Sequence, residues 1–285
     1  MESWLTGCRL VSLPFSDHCQ PLVDRPEDRA IISAEIQRYL TRGRCKSAEL
    51  RPLASGKDGS VGLSGFGHSE KYCFHKLDLR PSLDTLFRNF HASCIQRKIQ
   101  RGERERLEYQ AGWSEPLLAK FYHLLLLTRR RHQLPPQPLR WFRNLLSCLG
   151  ESATIHILAK DRQAVAGILT LSYGRTRVYK YGCSDARFHN LGGMPLLMWK
   201  AIQDAKGQGA DEFDLGRSDL DHAGLIAFKD HLGAARSTLT YYKYPVSRAV
   251  PRRLLRARQL ALRAFALMPS PALRAAGNLL YRHIG

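Results

Sequence analysis

No acidic residue follows Asp230. Ten cations do: Arg236, Lys243, Arg248, Arg252, Arg253, Arg256, Arg258, Arg263, Arg274 and Arg282, over half of a net charge of +19. The excess belongs to the tail, and it points to an anionic partner: nucleic acid, a phosphorylated substrate or a membrane surface. No helix-turn-helix, zinc-finger or RNA-recognition pattern is present, so a nucleic-acid-binding module would rest on charge alone. Paired cysteines are missing as well. Seven cysteines, an odd number without paired spacing, suit reduced thiols in a cytoplasmic protein and speak against a disulfide framework. Cys73-Phe74-His75 and His18-Cys19 have no second ligand pair at zinc spacing, so no metal is expected. Arg9 interrupts the only early apolar run, and no window reaches the ~18 residues of a membrane span. The expected location is cytoplasmic, with the tail as a means of reaching the inner face of the membrane.

With 285 residues, 44% of them hydrophobic, the chain can build two modest domains or one large one. Cys8 to Leu13, Ala48 to Leu53 and Tyr72 to Leu79 read as strands, with a helix from Ala30 to Leu40 between the first two. Asp84 to Arg106 reads as one basic helix with Leu86, Phe90, Cys94 and Ile95 on a single face. From Leu107 the signals are fuller: a short strand, a helix capped by Ser114 with Pro116 in its first turn, and a second helix closed by Gly150. Three strands separated by Asp161-Arg162 and Gly174-Arg175 make an antiparallel meander. The order across 105–245 is β-α-α-β-β-β-α-β-α-β.

The meander leads into the stretch that organises the rest. Tyr179 and Tyr181 alternate with Val178 and Lys180, Asn190-Leu191-Gly192-Gly193 breaks the strand, and Pro195 suits the first turn of the next helix. Free backbone N–H groups from Asn190 to Met194 can hold a phosphate or carboxylate at that helix start; the alternative is a plain tight turn. Asp214 alternates with Phe213 and Leu215 and so faces away from them, at the carboxyl end of its strand with Arg217, Ser218 and Asp219. A carboxylate there can deprotonate an amine, or can pair with Arg217. Arg129-Arg130-Arg131 can satisfy a helix C-terminus or grip a diphosphate. Cys183, Ser184 and Asp185 lack a base at recognisable spacing, which argues against covalent catalysis.

The element order, together with SLPFSDHCQPL, CIQRKIQRGERERLEY, YKYGCSDARFHNLGGMP, FDLGRSD and GLIAFKDHLGA, resembles the FemAB-like branch of the GNAT acyltransferases. That branch covers peptidoglycan aminoacyl transferases and relatives tied to cellulose and exopolysaccharide systems. The resemblance spans about residues 8 to 245. It implies an α+β or α/β fold, a GNAT-like mixed sheet flanked by helices. A complete GNAT domain (105–245) packs beside a shortened N-terminal GNAT-like half (1–104), and a basic helical tail follows (246–285). It also implies transfer of an acetyl or aminoacyl group to an amine on a nucleotide- or lipid-linked saccharide precursor of the cell envelope or an exopolysaccharide. The co-substrate is acyl-CoA or aminoacyl-tRNA, with no tightly bound cofactor. Arg187 is not followed by glycines at the spacing of the usual CoA pyrophosphate loop, which leaves room for aminoacyl-tRNA.

Carried onto this sequence, the resemblance implies an oxyanion or donor site at Tyr181, Gly182 and Cys183, and donor binding at Asn190, Leu191, Gly192, Gly193 and Met194. Asp214, Lys229, Tyr181 and Arg217 are the expected catalytic set; Arg129, Arg130, Arg131, Ser218 and Asp219 are expected to hold the acceptor. The tail reads as two short helices split at Met268-Pro269-Ser270-Pro271, with Leu255, Leu262 and Phe265 opposite Arg252, Arg256 and Arg263. Such a face can lie on an anionic bilayer or pack on the body of the protein. The rival reading is a non-catalytic scaffold that keeps the fold and uses the tail for recruitment.

Overall fold

A computed structural model describes residues 1–3, 7–25, 27–43, 45–53, 64–245, 265 and 267–283. The chain begins with β1 (Glu2–Ser3), β2 (Gly7–Val11), α1 (Asp28–Thr41), β3 (Ser47–Leu50) and the long β4 (Gly67–Asp78). Helix α2 (Leu83–Asn89) follows, capped by the Ser82 side chain accepting from the Thr85 N–H, then a π turn (Ala92–Gln96) and α3 (Arg97–Arg104). Next come β5 (Glu108–Gly112), α4 (Glu115–Arg131), α5 (Leu139–Leu149), β6 (Ala153–Lys160), β7 (Gln163–Tyr173) and β8 (Thr176–Ser184). A 3-10 turn (Ala186–Leu191) enters α6 (Gly193–Gly207); β9 (Glu212–Ser218), α7 (Ala223–His231), β10 (Ala235–Tyr244) and α8 (Ser270–Leu280) complete the order.

All ten strands join one mixed sheet in the order β1-β2-β3-β10-β4-β9-β8-β7-β6-β5. β4, from the first hundred residues, lies between β9 and β10, antiparallel to both. Residue 104 therefore divides the chain but not the sheet. One face packs on α6 and α3, with Leu197 and Ile202 against Ile99, Phe213 and Leu215. The other packs on α4 and α5, where Leu118, Phe121 and Phe142 meet Ile155, Ile157 and Leu169. Asp161 and Arg162 both take positive φ, the backbone of a two-residue hairpin turn.

Two expectations are corrected. The single helix over 84–106 is broken at Phe90, whose ψ of 143° is extended, because the His91 N–H leaves the helix to donate to the His231 carbonyl at 2.9 Å. That tertiary bond is invisible to helical periodicity. Cys8 and Cys45 form a disulfide, against seven reduced thiols. Parallel pairing of β2 with β3 brings together two cysteines 37 residues apart, which no local spacing reveals. In the tail, where both placements were open, α8 packs on the body, with Leu273 buried and Gly277 fitted against the Pro136 carbonyl. Residues 246–264, which carry most of the basic face, lie outside the described residues.

Candidate functional site

Strands β8 and β9 run parallel, but their register pairs only Thr176–Val178 with Glu212–Asp214. Beyond that fork each strand continues without the other, to Ser184 and Ser218. Two irregularities mark the divergence. Lys180 is the extra residue of a β8 bulge against Leu169 and Thr170. In β9 the register with β4 slips at Leu215, next to Gly216 with φ of +69°.

A cavity of about 400 Å³ opens where β8 ends, α6 begins and α7 passes over. Gly182, Cys183, Gly193, Met194 and Arg131 among the expected site residues line it, with Lys98, His132 and His189, which sequence reasoning missed. No carboxylate lines the cavity. Arg131 donates to the Ser184 carbonyl at 3.2 Å, and the Ser184 hydroxyl lies 2.9 Å from His189 Nε2. Burial, with help from the charge on Arg131, pushes the pKa of His132 and His189 below the ordinary histidine value. The first turn of α6 leaves the N–H groups of Gly193 and Met194 without intrahelical partners, the arrangement that receives an anion. The Cys183 thiol donates to the Gly167 carbonyl at 3.3 Å, and burial raises its pKa above the usual thiol range, which disfavours a thiolate.

The other expected donor residues, Asn190, Leu191 and Gly192, do not line the cavity. Asn190 and Leu191 form the 3-10 turn beneath the cavity. Gly192 takes φ of +77°, and a Cβ there would stand 2.1 Å from the Lys98 carbonyl, so this glycine permits close packing on α3. Arg187 pairs with Asp185 at 2.7 Å. The three arginines at the end of α4 diverge. Arg131 reaches the cavity, Arg130 donates to the Met268 carbonyl under α8, and Arg129 is sunk near Tyr181 and Tyr281, where burial lowers its pKa.

At the fork itself, Asp214 is 3% exposed and both its oxygens are engaged, Oδ1 by the Gly216 N–H and Oδ2 by His18 Nε2, each at 2.7 Å. The pair with Arg217 weighed from sequence does not form. Arg217 instead stacks over Tyr72 at 4.1 Å, and its N–H donates to Asp17 at 3.1 Å. Lys229 donates to the carbonyls of Gly216 and Arg217 at 3.0 and 3.1 Å, and burial pulls its pKa down to about 8. Lys180 donates to the Phe15 carbonyl, and burial depresses it as well. Loop residues Phe15 to His18 thus contact both diverging strands. Tyr181 turns away to Trp141 and Tyr281, Ser218 is buried, and Asp219 stands outside with Asp221 and His222.

Residues 91–230 match the family model described as an acetyltransferase (GNAT) domain. That stretch is similar to a GNAT acetyltransferase domain, and over most of the chain the fold is that of several solved structures. The crystal structure of FemX is 14% identical, with a TM-score of 0.63 over 86% of this chain and 84% of that one. The C-terminal domain of a putative lysylphosphatidylglycerol synthetase from Agrobacterium fabrum is 13% identical, with a TM-score of 0.59 over 85% and 80%. A tandem GNAT protein from the clavulanic acid pathway gives 11% and 0.51 over 80% and 73%. No curated protein sequence matches the chain. No described helix is long and apolar enough to cross a membrane.

Proposed function

We propose that this protein is an N-acyltransferase that takes its acyl group from a phosphate-bearing carrier and delivers it to an amine on a cell-envelope or exopolysaccharide precursor. The observation that carries the reading is the cavity at the start of α6, lined by Lys98 and Arg131, free of carboxylates and open beside the β8–β9 fork. A phosphate there meets helix N–H groups and cations together, while its acyl end reaches the fork, where backbone N–H groups of diverging strands can polarise a carbonyl. Of the two candidate carriers, aminoacyl-tRNA is favoured. A charge of +19 attracts a long polyanion, and only two N–H groups precede Pro195, too few to cradle a pyrophosphate as a glycine-rich loop would. The acceptor class rests on the resemblance to the FemAB-like branch and on the likeness of fold to FemX and to a lysylphosphatidylglycerol synthetase.

Calorimetric titration with acetyl-CoA and with aminoacyl-tRNA tests the proposal. Saturable binding of one carrier, weakened at least tenfold by Arg131→Glu or Lys98→Glu, is the expected outcome. A folded protein that binds neither would overturn it, and tight binding without transfer to any amine would favour the scaffold.

A further inference from the structure

We infer that His18, on the loop between β2 and α1, is the general base of the transfer and that Asp214 is the residue that positions it. The inference rests on the acyltransferase reading above. Asp214 is the last β9 residue paired with β8, so it stands where the strands part. Its neighbours Phe213 and Leu215 belong to the core on the α6 face, which turns the carboxylate to the opposite side. Donor and acceptor approaching from the two faces would meet at that point. The carboxylate itself has no oxygen left for a substrate proton, since the Gly216 N–H and His18 occupy both. It is also nearly sealed, at 3% exposure against 25% for the His18 side chain. The group that meets an incoming amine is therefore the imidazole.

The tautomer follows from chemistry. An ionised carboxylate only accepts, so Nε2 carries the shared proton and Nδ1 holds the free lone pair. Among the described residues nothing hydrogen-bonds Nδ1. The ring is fixed by its edge against Phe74 at 5.3 Å, and the loop is tied down where Cys19 N–H donates to the Arg51 carbonyl and Ser16 Oγ to the His18 carbonyl. The charged groups around the dyad are Asp17 on its own loop, Arg51 just after β3, Lys180 of β8, Arg217 of β9 and Lys229 of α7, with the Tyr241 phenol of β10 donating to the Asp17 carbonyl.

In the step, the amine nitrogen bonds to the carrier's carbonyl carbon and the carbonyl π pair moves to oxygen. The amine proton passes to Nδ1. Collapse restores the C=O and breaks the bond to the carrier's oxygen or sulfur, and the imidazolium returns the proton to that leaving atom. One amide and one free carrier result, with the histidine regenerated.

A latch that merely fastens the N-terminal loop would look the same at rest, so the test separates the two. His18→Gln keeps an amide able to donate to Asp214 but cannot take a proton. The variant is expected to bind the carrier like the wild type and to melt at nearly the same temperature. Its kcat should fall about 10²–10³-fold, with loss of the acid limb of the pH profile. Asp214→Asn keeps a hydrogen bond but removes the charge that faces the imidazolium formed in the step, so kcat should fall while KM holds. Wild-type turnover and an unchanged limb in His18→Gln would overturn the role while leaving the acyltransferase reading intact. A wild-type protein that binds neither carrier would overturn both.

Discussion

Among single residues, the adjacent glycines at the start of α6 differ most in what they tolerate. Gly192 has a left-handed backbone and the Lys98 carbonyl where a Cβ would go, whereas a Cβ on Gly193 meets Val165 and Ala166 at ordinary distances of 3.5 and 3.6 Å. Gly192→Ala should lower stability by roughly 2 kcal/mol or more and Gly193→Ala by less than about 1 kcal/mol, as read by denaturant melts. Equal losses would mean that the turn relaxes. A Gly192 substitution is thus a poor probe of donor binding, and Arg131 and Lys98 are better ones. The pair was legible from sequence as a break before a helix; what distinguishes its members was not, because the obstructing carbonyl comes from α3, almost a hundred residues earlier. His18 and Asp17 were hidden for the same reason. Both stand in a proline-rich loop that reads as a connection until the fold sets it against β9.

Elements show how partners outside a segment redirect it. Helix α7 is anchored to β9 through Lys229, whose ammonium is enclosed and bound only to backbone carbonyls. Burial lowers its folded pKa to about 8 from an unfolded value near 10.4. Above the unfolded value both states are neutral and the ammonium costs nothing. As pH falls toward 8 the unfolded chain takes up the proton first and folding loses stability; below 8 the loss is constant. Relative to Lys229→Met, the wild type should therefore gain about 3 kcal/mol between pH 8 and 10.5 in denaturant melts, a shift of roughly two units at 1.36 kcal/mol each. A constant gap would remove this account of α7. The strands and helices from β5 to β10 were readable because hairpin turns and bounding Pro and Gly residues there are local, although Ser114 makes no side-chain cap bond to α4. The break at Phe90 was not, because its cause is a carbonyl at the end of α7.

Across the whole molecule, the single sheet decides what can be separated. Cutting at residue 104 removes β4 from between β9 and β10 and takes β3 from the other side of β10. Residues 105–245 expressed alone should aggregate or melt without cooperativity, and coexpressed residues 1–104 should restore a folded complex. A cooperative melt of the isolated piece would show that β10 finds another place. Strand order inside the C-terminal unit could be inferred from its β-α-α-β-β-β-α-β-α-β pattern, but the guest strand could not, since pairing across such distances leaves no local mark.

Insertion of β4 also sets a timetable for synthesis. Cys73 and its register partner Ser218 lie 145 residues apart. At translation rates of roughly 5–20 residues per second, β4 leaves the ribosome about 7–30 s before either flanking strand exists. During that interval a strand carrying Phe74 and Leu77 has nothing to pair with. Yield of soluble protein should accordingly rise when growth is slow and cold or when a holding chaperone is abundant, for reasons that lie in the order of emergence and not in the stability of the finished sheet.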